Sequence, residues 1–255
     1  MTQTTLPTQN QAWSGGATFY IGVLVIICFA IISGINLGIG AGFIAATQGI
    51  PAEEVQAASE AIAETLAMDG DYNSINYVIC FLILTPCLFF FAKKRKTTTT
   101  RAYLGFAQLP SKKDFLNYTL ILIGYLAFAY VASYVFNIEM PATMIEMYQS
   151  TDYMWVSLFA VVLCAPLFEE TFFRGFLFKG WQDTRLGTVG TILLTSILFT
   201  LIHTGQYDWA VLSILFTFAL ILGIARFKTK SIYIPLYLHF INNLYSSIEI
   251  YFYMN

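Results

Sequence analysis

No lysine or arginine precedes Lys93 in this 255-residue chain. A secretory signal peptide begins with a positively charged segment, so the expectation is that residues 1–17 are a polar tail and not a leader. Charge is scarce throughout: 11% of residues are Asp, Glu, Lys or Arg, against about 25% in soluble domains. A net charge of −2 offers no electrostatic footprint for nucleic acid. The four cysteines, Cys28, Cys80, Cys87 and Cys164, lie in apolar runs without CxxC spacing and read as small buried hydrophobes. Neither GxSxG nor HExxH occurs, which removes the common serine-hydrolase and zincin signatures.

Apolar residues make up 57% of the chain. A bilayer span needs about 20 mainly apolar residues, and seven runs qualify, near 18–45, 75–92, 116–136, 153–179, 187–206, 208–226 and 231–253. The alternating ten-residue segments of a membrane barrel are missing. The fold class is therefore all-α, a polytopic transmembrane bundle of about seven helices. Lys93 to Lys113, then Lys179 and Arg185, then Arg226, Lys228 and Lys230 fall in every second connection. The positive-inside rule places the N-terminus in the cytoplasm and the C-terminus outside a cell membrane. The intervening connections are acidic, with Glu53, Glu54, Asp69, Glu139 and Asp152 among their residues.

Glycines 34, 38, 40 and 42 suit close helix packing. Residues 51–69 read as an amphipathic outer helix, with Pro51 and two glutamates at its start and Val55, Ile62 and Leu66 on one face. The connection 93–114, with its four threonines, reads as irregular.

Glu169, Glu170 and Arg174 stand inside the fourth run, LCAPLFEETFFRG. An ionisable residue at mid-bilayer costs about 2.5–3.5 kcal/mol on insertion scales. Glu170 and Arg174 share a helix face and form a possible structural ion pair, but Glu169 points about 100° away. The chain has two histidines, His203 and His239, and both fall in apolar runs. His239 and Asn243 share a face, as do Phe199 and His203, where the phenyl ring packs beside the imidazole. A carboxylate shielded from water is a stronger base, and His with Asn can donate hydrogen bonds to an oxyanion. These are the parts of an amide hydrolase. Glu169, His203 and His239 also make a plausible Zn²⁺ ligand set, although the glutamate pair beside Arg174 suits a tuned base better.

EETFFR (169–174) resembles an EExxxR motif, FTLIH (199–203) an FxxxH motif and HFINN (239–243) an HxxxN motif, in that order on three helices. The set resembles the intramembrane CAAX proteases and bacteriocin-processing enzymes, the Abi or CPBP family, which includes the type II CAAX prenyl endopeptidases. The resemblance spans about 150–250. It implies an intramembrane endopeptidase in which Glu169 and His203 activate water, His239 and Asn243 stabilise the oxyanion, and Glu170 and Arg174 support them, with Phe199 beside His203. No cofactor is expected on this reading, with Zn²⁺ the alternative. The implied partners are a peptide or protein substrate and membrane lipids. Residues 151–255 would then be the catalytic helices, and 1–150 a tail and variable helices with an acidic outer loop, all in one membrane domain. An ion- or proton-coupled transporter and a non-catalytic immunity or scaffold protein are the competing readings.

Depth strains this picture. A helix running from 187 to 206 sets His203 roughly 10 Å outward of mid-bilayer, away from Glu169. The expectation is that the hairpin around TGQYD (204–208) stops short of the outer face and lines a wet cavity.

Overall fold

Each of the seven apolar runs is helical in the computed structural model, which describes residues 13–51, 53–95 and 98–254. The chain is 81% helical, and the described residues contain no strand. In chain order the long helices are α1 (Gly15–Thr47), α3 (Gly70–Lys93), α5 (Lys112–Phe136), α7 (Met154–Trp181), α8 (Gly187–Leu201), α9 (Trp209–Thr229) and α10 (Tyr233–Met254). Short helices α2 (Val55–Ala67), α4 (Thr100–Leu104) and α6 (Ala142–Gln149) connect them. Five of them (α1, α3, α5, α7 and α9) are long and apolar enough to cross a membrane. By length and composition these fit a multi-pass membrane protein.

Polar caps mark where the helices begin. Asp69 accepts from Tyr72 N at 2.7 Å, Ser111 and Asp114 form a reciprocal capping box, and Asp208 accepts from the amides of Ala210 and Val211. Each satisfies amides that a first helical turn leaves unpaired. The threonine stretch is not wholly irregular: Thr99 caps α4 by accepting from Ala102 N. The amphipathic helix expected over 51–69 starts at Val55 rather than at Pro51, and its Val55, Ile62 and Leu66 are half-buried. Most of the expected tail lies outside the described residues. Its end is ordered: Trp13 Nε1 donates to Phe91 O at 3.1 Å, and α1 already includes residues 15–17.

The expected glycine packing on α1 holds at Gly40, where a Cβ would lie 3.4 Å from Leu66, and is corrected at Gly34, Gly38 and Gly42, where it would meet open space; one at Gly22 would come within 2.9 Å of Leu177. The residues at which α1 docks on α7 are therefore Thr18 and Gly22, with Trp181 Nε1 donating to Gly15 O at 3.0 Å. Polar side chains join α1 to α3: Asn36 donates to Asn76 Oδ1 at 2.9 Å, and Asn76 donates to Ser33 Oγ at 3.0 Å. Such bonds hold helices together where burial of apolar surface gives no driving force. The central core is aromatic, with Tyr103, Phe172, Phe173, Phe176 and Phe199 packed together.

α7 is the innermost helix. Two stretches of it, Phe159–Cys164 and Thr171–Leu177, are wound as wider π turns, a geometry frequent at functional sites. Between them lies Ala165–Glu170. α8 ends at Leu201, not at 206 as the hydropathy suggested. Its 15 residues rise about 22 Å, less than the roughly 30 Å of hydrocarbon in a bilayer. Thr143 of α6 donates to Gln206 O at 2.7 Å and ties the turn that follows α8 to the α5–α7 connection.

Candidate active site

Glu170 and Arg174 are one turn apart on α7 and completely buried, with Arg174 Nη1 donating to Glu170 Oε1 at 2.9 Å. The guanidinium lies 4.5 Å from the ring centroid of Phe199, and its Nη2 donates to Ala219 O at 3.0 Å. Arg226 reaches in from α9, its Nε donating to Arg174 O at 2.8 Å. The sequence placed Arg226 among the loop cations. It is instead a buried residue in the last turn of α9.

Glu170 has a second partner. His239 Nδ1 lies 2.9 Å from the same Oε1. An imidazole nitrogen at that distance from an ion-paired carboxylate carries the proton and donates. The ring is edged by Phe199 and Phe218 at 5.6 and 5.9 Å. Its other nitrogen, Nε2, is thereby turned toward Glu169, 3.8 Å from Oε2. That separation exceeds a hydrogen bond, and Glu169 Oε2 is buried with no hydrogen-bond partner among the described residues.

A cavity of about 420 Å³ opens beside this pair. Glu169, Phe199, His203, His239 and Asn243 all line it, whereas Glu170 and Arg174 lie behind its wall. His203 occupies the turn after α8, its Nδ1 2.8 Å from Phe199 O. Phe199 packs against it with centroids 5.0 Å apart. No hydrogen bond or ion pair joins His203 to Glu169 among the described residues; the two share only the cavity. Asn243 donates to Val161 O at 2.9 Å, in the first π turn of α7, so one of its amide protons is already engaged.

Tyr207 and Tyr77 line the same cavity and were not singled out from the sequence. Tyr207 stacks on His203 with centroids 5.9 Å apart and rings 7° from parallel. Its phenol is pushed up to about 12, first by burial and then by the charge of Glu169. The polar turn TGQYD was the only hint of it. For Arg226, a cation at the end of an apolar run looks the same whether it turns out to solvent or in to a carbonyl.

The residue set proposed for Zn²⁺ was Glu169, His203 and His239. Among the described residues no group of three His, Cys, Asp or Glu side chains is placed to hold a metal ion. Nδ1 of His239 is held by Glu170 and Nδ1 of His203 faces the Phe199 carbonyl, so Nε2 is the remaining nitrogen of each imidazole.

Comparison with known proteins bears on the same segment. The family model for type II CAAX prenyl endopeptidase Rce1-like proteins matches residues 151–245. A protein of Escherichia coli, described as an uncharacterized 24.3 kDa protein, is 29% identical over 125 residues. The match covers 46% of this chain and 58% of that relative. No solved structure matches the chain. The matched segment runs from the start of α7 to the middle of α10 and supplies both glutamates, both histidines and Asn243, so the similarity to Rce1-like proteins falls on the same residues as the three motifs.

Proposed function

We propose that the protein is an intramembrane endopeptidase that hydrolyses a peptide bond with water activated by Glu169. The supporting observation is Glu169, whose buried Oε2 has no hydrogen-bond partner among the described residues, lining a cavity beside an imidazole whose far nitrogen is held by an ion pair.

Water bound between Glu169 and the scissile carbonyl gives its proton to the carboxylate as its oxygen attacks the carbonyl carbon. The carbonyl π pair moves onto oxygen. The amide proton of Asn243 not used by Val161 stabilises that oxyanion, while His203, whose Nδ1–H is directed at the Phe199 carbonyl, offers Nε2 to the water as an acceptor. Collapse of the intermediate expels the amine, which takes the proton from Glu169. His239 holds position against Glu170 and presents Nε2 to the water or to the carboxylate. This refines the role read from the motifs, because the imidazole nearest Glu169 is that of His239 and not that of His203.

The cavity opens where the 137–141 connection, the 202–208 turn and the end of α10 converge, and among the described residues no lysine or arginine lines it. The basic connections lie at the opposite ends of these helices. Under the positive-inside rule the substrate enters from the outer side. A Gln206→Cys variant then reacts with a membrane-impermeant thiol reagent from outside and not from inside.

The principal test compares peptide termini in membranes holding wild type or Glu169→Gln protein. A general base contributes about 10²–10⁴-fold, so termini that accumulate with wild type disappear with the variant while its thermal unfolding is unchanged. Equal termini in both, with transport lost in the variant, would establish the transporter reading. Equal termini and no other loss would establish the scaffold reading. Cleavage abolished by a chelator and restored by Zn²⁺ would overturn the metal-free mechanism.

A further inference from the structure

In the reaction proposed above the oxyanion has one donor, the free amide proton of Asn243 on α10. An oxyanion hole is ordinarily built from more than one. Tyr77 of α3 lines the same cavity, although α3 lies outside residues 151–245 and carries none of the three motifs. Its hydroxyl is fixed at the cavity and not merely near it. The hydrogen-bond partner of the phenol is the side chain of Gln206, another cavity residue, in the turn after α8, and the charge of Glu169 acts on the same phenol. The ring is held from behind. Tyr77 lies 6.1 Å from Phe29 of α1, and Phe29 stacks at 6.2 Å on Phe168, the residue before Glu169. The register of α3 against α7 is fixed as well. Gly70 N donates to Ser150 Oγ at 2.9 Å, and Asp71 accepts from the amides of Asp152 and Tyr153, each at 3.0 Å. Tyr77 follows two helical turns after Gly70.

We propose that Tyr77 is a catalytic residue, whose hydroxyl donates to the oxygen of the scissile carbonyl and, with Asn243, holds the negative charge of the tetrahedral intermediate. The assignment rests on the protease reading of the cavity. A phenol donates and accepts at once. With the Gln206 carboxamide donating to its oxygen, the phenol directs its own proton into the cavity. No bond to Tyr77 forms or breaks in the reaction; the hydroxyl lends a hydrogen bond and keeps its proton. Gln206 at the oxygen and Phe29 at the ring set the donor before substrate arrives, and a donor already aligned needs no reorganisation as charge develops. The catalytic unit therefore reaches back to α3, in the part of the chain that the motifs leave out. Gln206 and the contacts of Gly70 and Asp71 are positioning contacts, acting on the reaction through Tyr77.

The test removes the hydroxyl alone. Tyr77→Phe keeps the ring against Phe29, so thermal unfolding of the full-length protein in detergent stays at the wild-type temperature. The substrate is a synthetic peptide spanning a terminus mapped in wild-type membranes. Loss of one oxyanion donor costs about 10²–10³-fold in kcat, and Tyr77→Phe is expected to lower kcat by about 10²-fold with KM unchanged. A 3-fluorotyrosine introduced at position 77 keeps the hydroxyl and restores kcat. Wild-type kcat in Tyr77→Phe, or a rise in KM alone, overturns the assignment. So does a loss of kcat in Tyr207→Phe that Tyr77→Phe does not share. A second measurement needs no cleavage. In full-length Glu169→Gln protein, the fluorine NMR resonance of 3-fluorotyrosine at position 77 is followed as an octapeptide amide of alanine and leucine is added. It moves as a peptide carbonyl accepts from the hydroxyl; an unmoved resonance counts against the contact. A moved resonance with no terminus that depends on Glu169 would sink the protease reading and leave Tyr77 as a carbonyl donor. Termini that depend on Glu169, with an unmoved resonance and full activity in Tyr77→Phe, would do the reverse.

Discussion

His239 Nδ1 and Glu170 Oε1 are 2.9 Å apart although 69 positions separate them in the chain. The same oxygen accepts from Arg174 at 2.9 Å, so one buried carboxylate orients an arginine of α7 and a histidine of α10 together. The contact decides which imidazole nitrogen faces Glu169.

Removing that carboxylate isolates a buried cation. Deleting one partner of a buried ion pair costs about 3–5 kcal/mol, whereas replacing both with apolar residues is often far milder. Glu170→Leu is therefore expected to lower the unfolding temperature markedly in detergent. Glu170→Leu with Arg174→Leu is expected to recover much of the loss while remaining inactive, since His239 has still lost its anchor. Equal stability of wild type and Glu170→Leu would mean that the ion pair does not form.

Tyr207 reports on Glu169. Its phenol sits at about 12 because burial and then the Glu169 charge both disfavour phenolate. Glu169→Gln removes the charge and keeps the burial, so the titration moves down, toward but not reaching the ordinary value of about 10. Ring-labelled Tyr207 followed by NMR through alkaline pH measures the shift. An unmoved midpoint would place the carboxylate elsewhere.

Gly105 closes the far side of the arginine pair. Its φ is +88°, and a Cβ there would lie 2.9 Å from the guanidinium of Arg226. Gly105→Ala thus adds a clash to backbone strain of about 1–3 kcal/mol and pushes Arg226 off Arg174 O. Gly187 also has positive φ, at +60°, but open space around it, so Gly187→Ala carries the backbone cost alone. The expectation is a larger stability loss at 105 than at 187, together with a fall in activity at 105 only. Equal losses would show that Arg226 does not depend on that contact.

Much of this molecule follows from costs that composition exposes directly. Long apolar runs exclude water from whatever lies within them, so seven helices were readable, five of them long and apolar enough to cross a membrane, and the polar side chains inside the runs marked Glu169, Glu170, Arg174, His203 and His239. The i,i+4 spacing was enough to pair Glu170 with Arg174, because helix geometry is local. Contacts between helices are not encoded at any fixed spacing. Only the packed bundle decides that His239 pairs with Glu170, that Arg226 turns inward to a backbone carbonyl and that Asn243 meets a carbonyl in a π turn. The end of α8 at Leu201 was equally hidden, since an apolar sequence continues past it and hydropathy has no means to register a turn tied down by Thr143. Sequence chose the residues that are expensive to bury; tertiary packing chose their partners, because partners are set by distance in space.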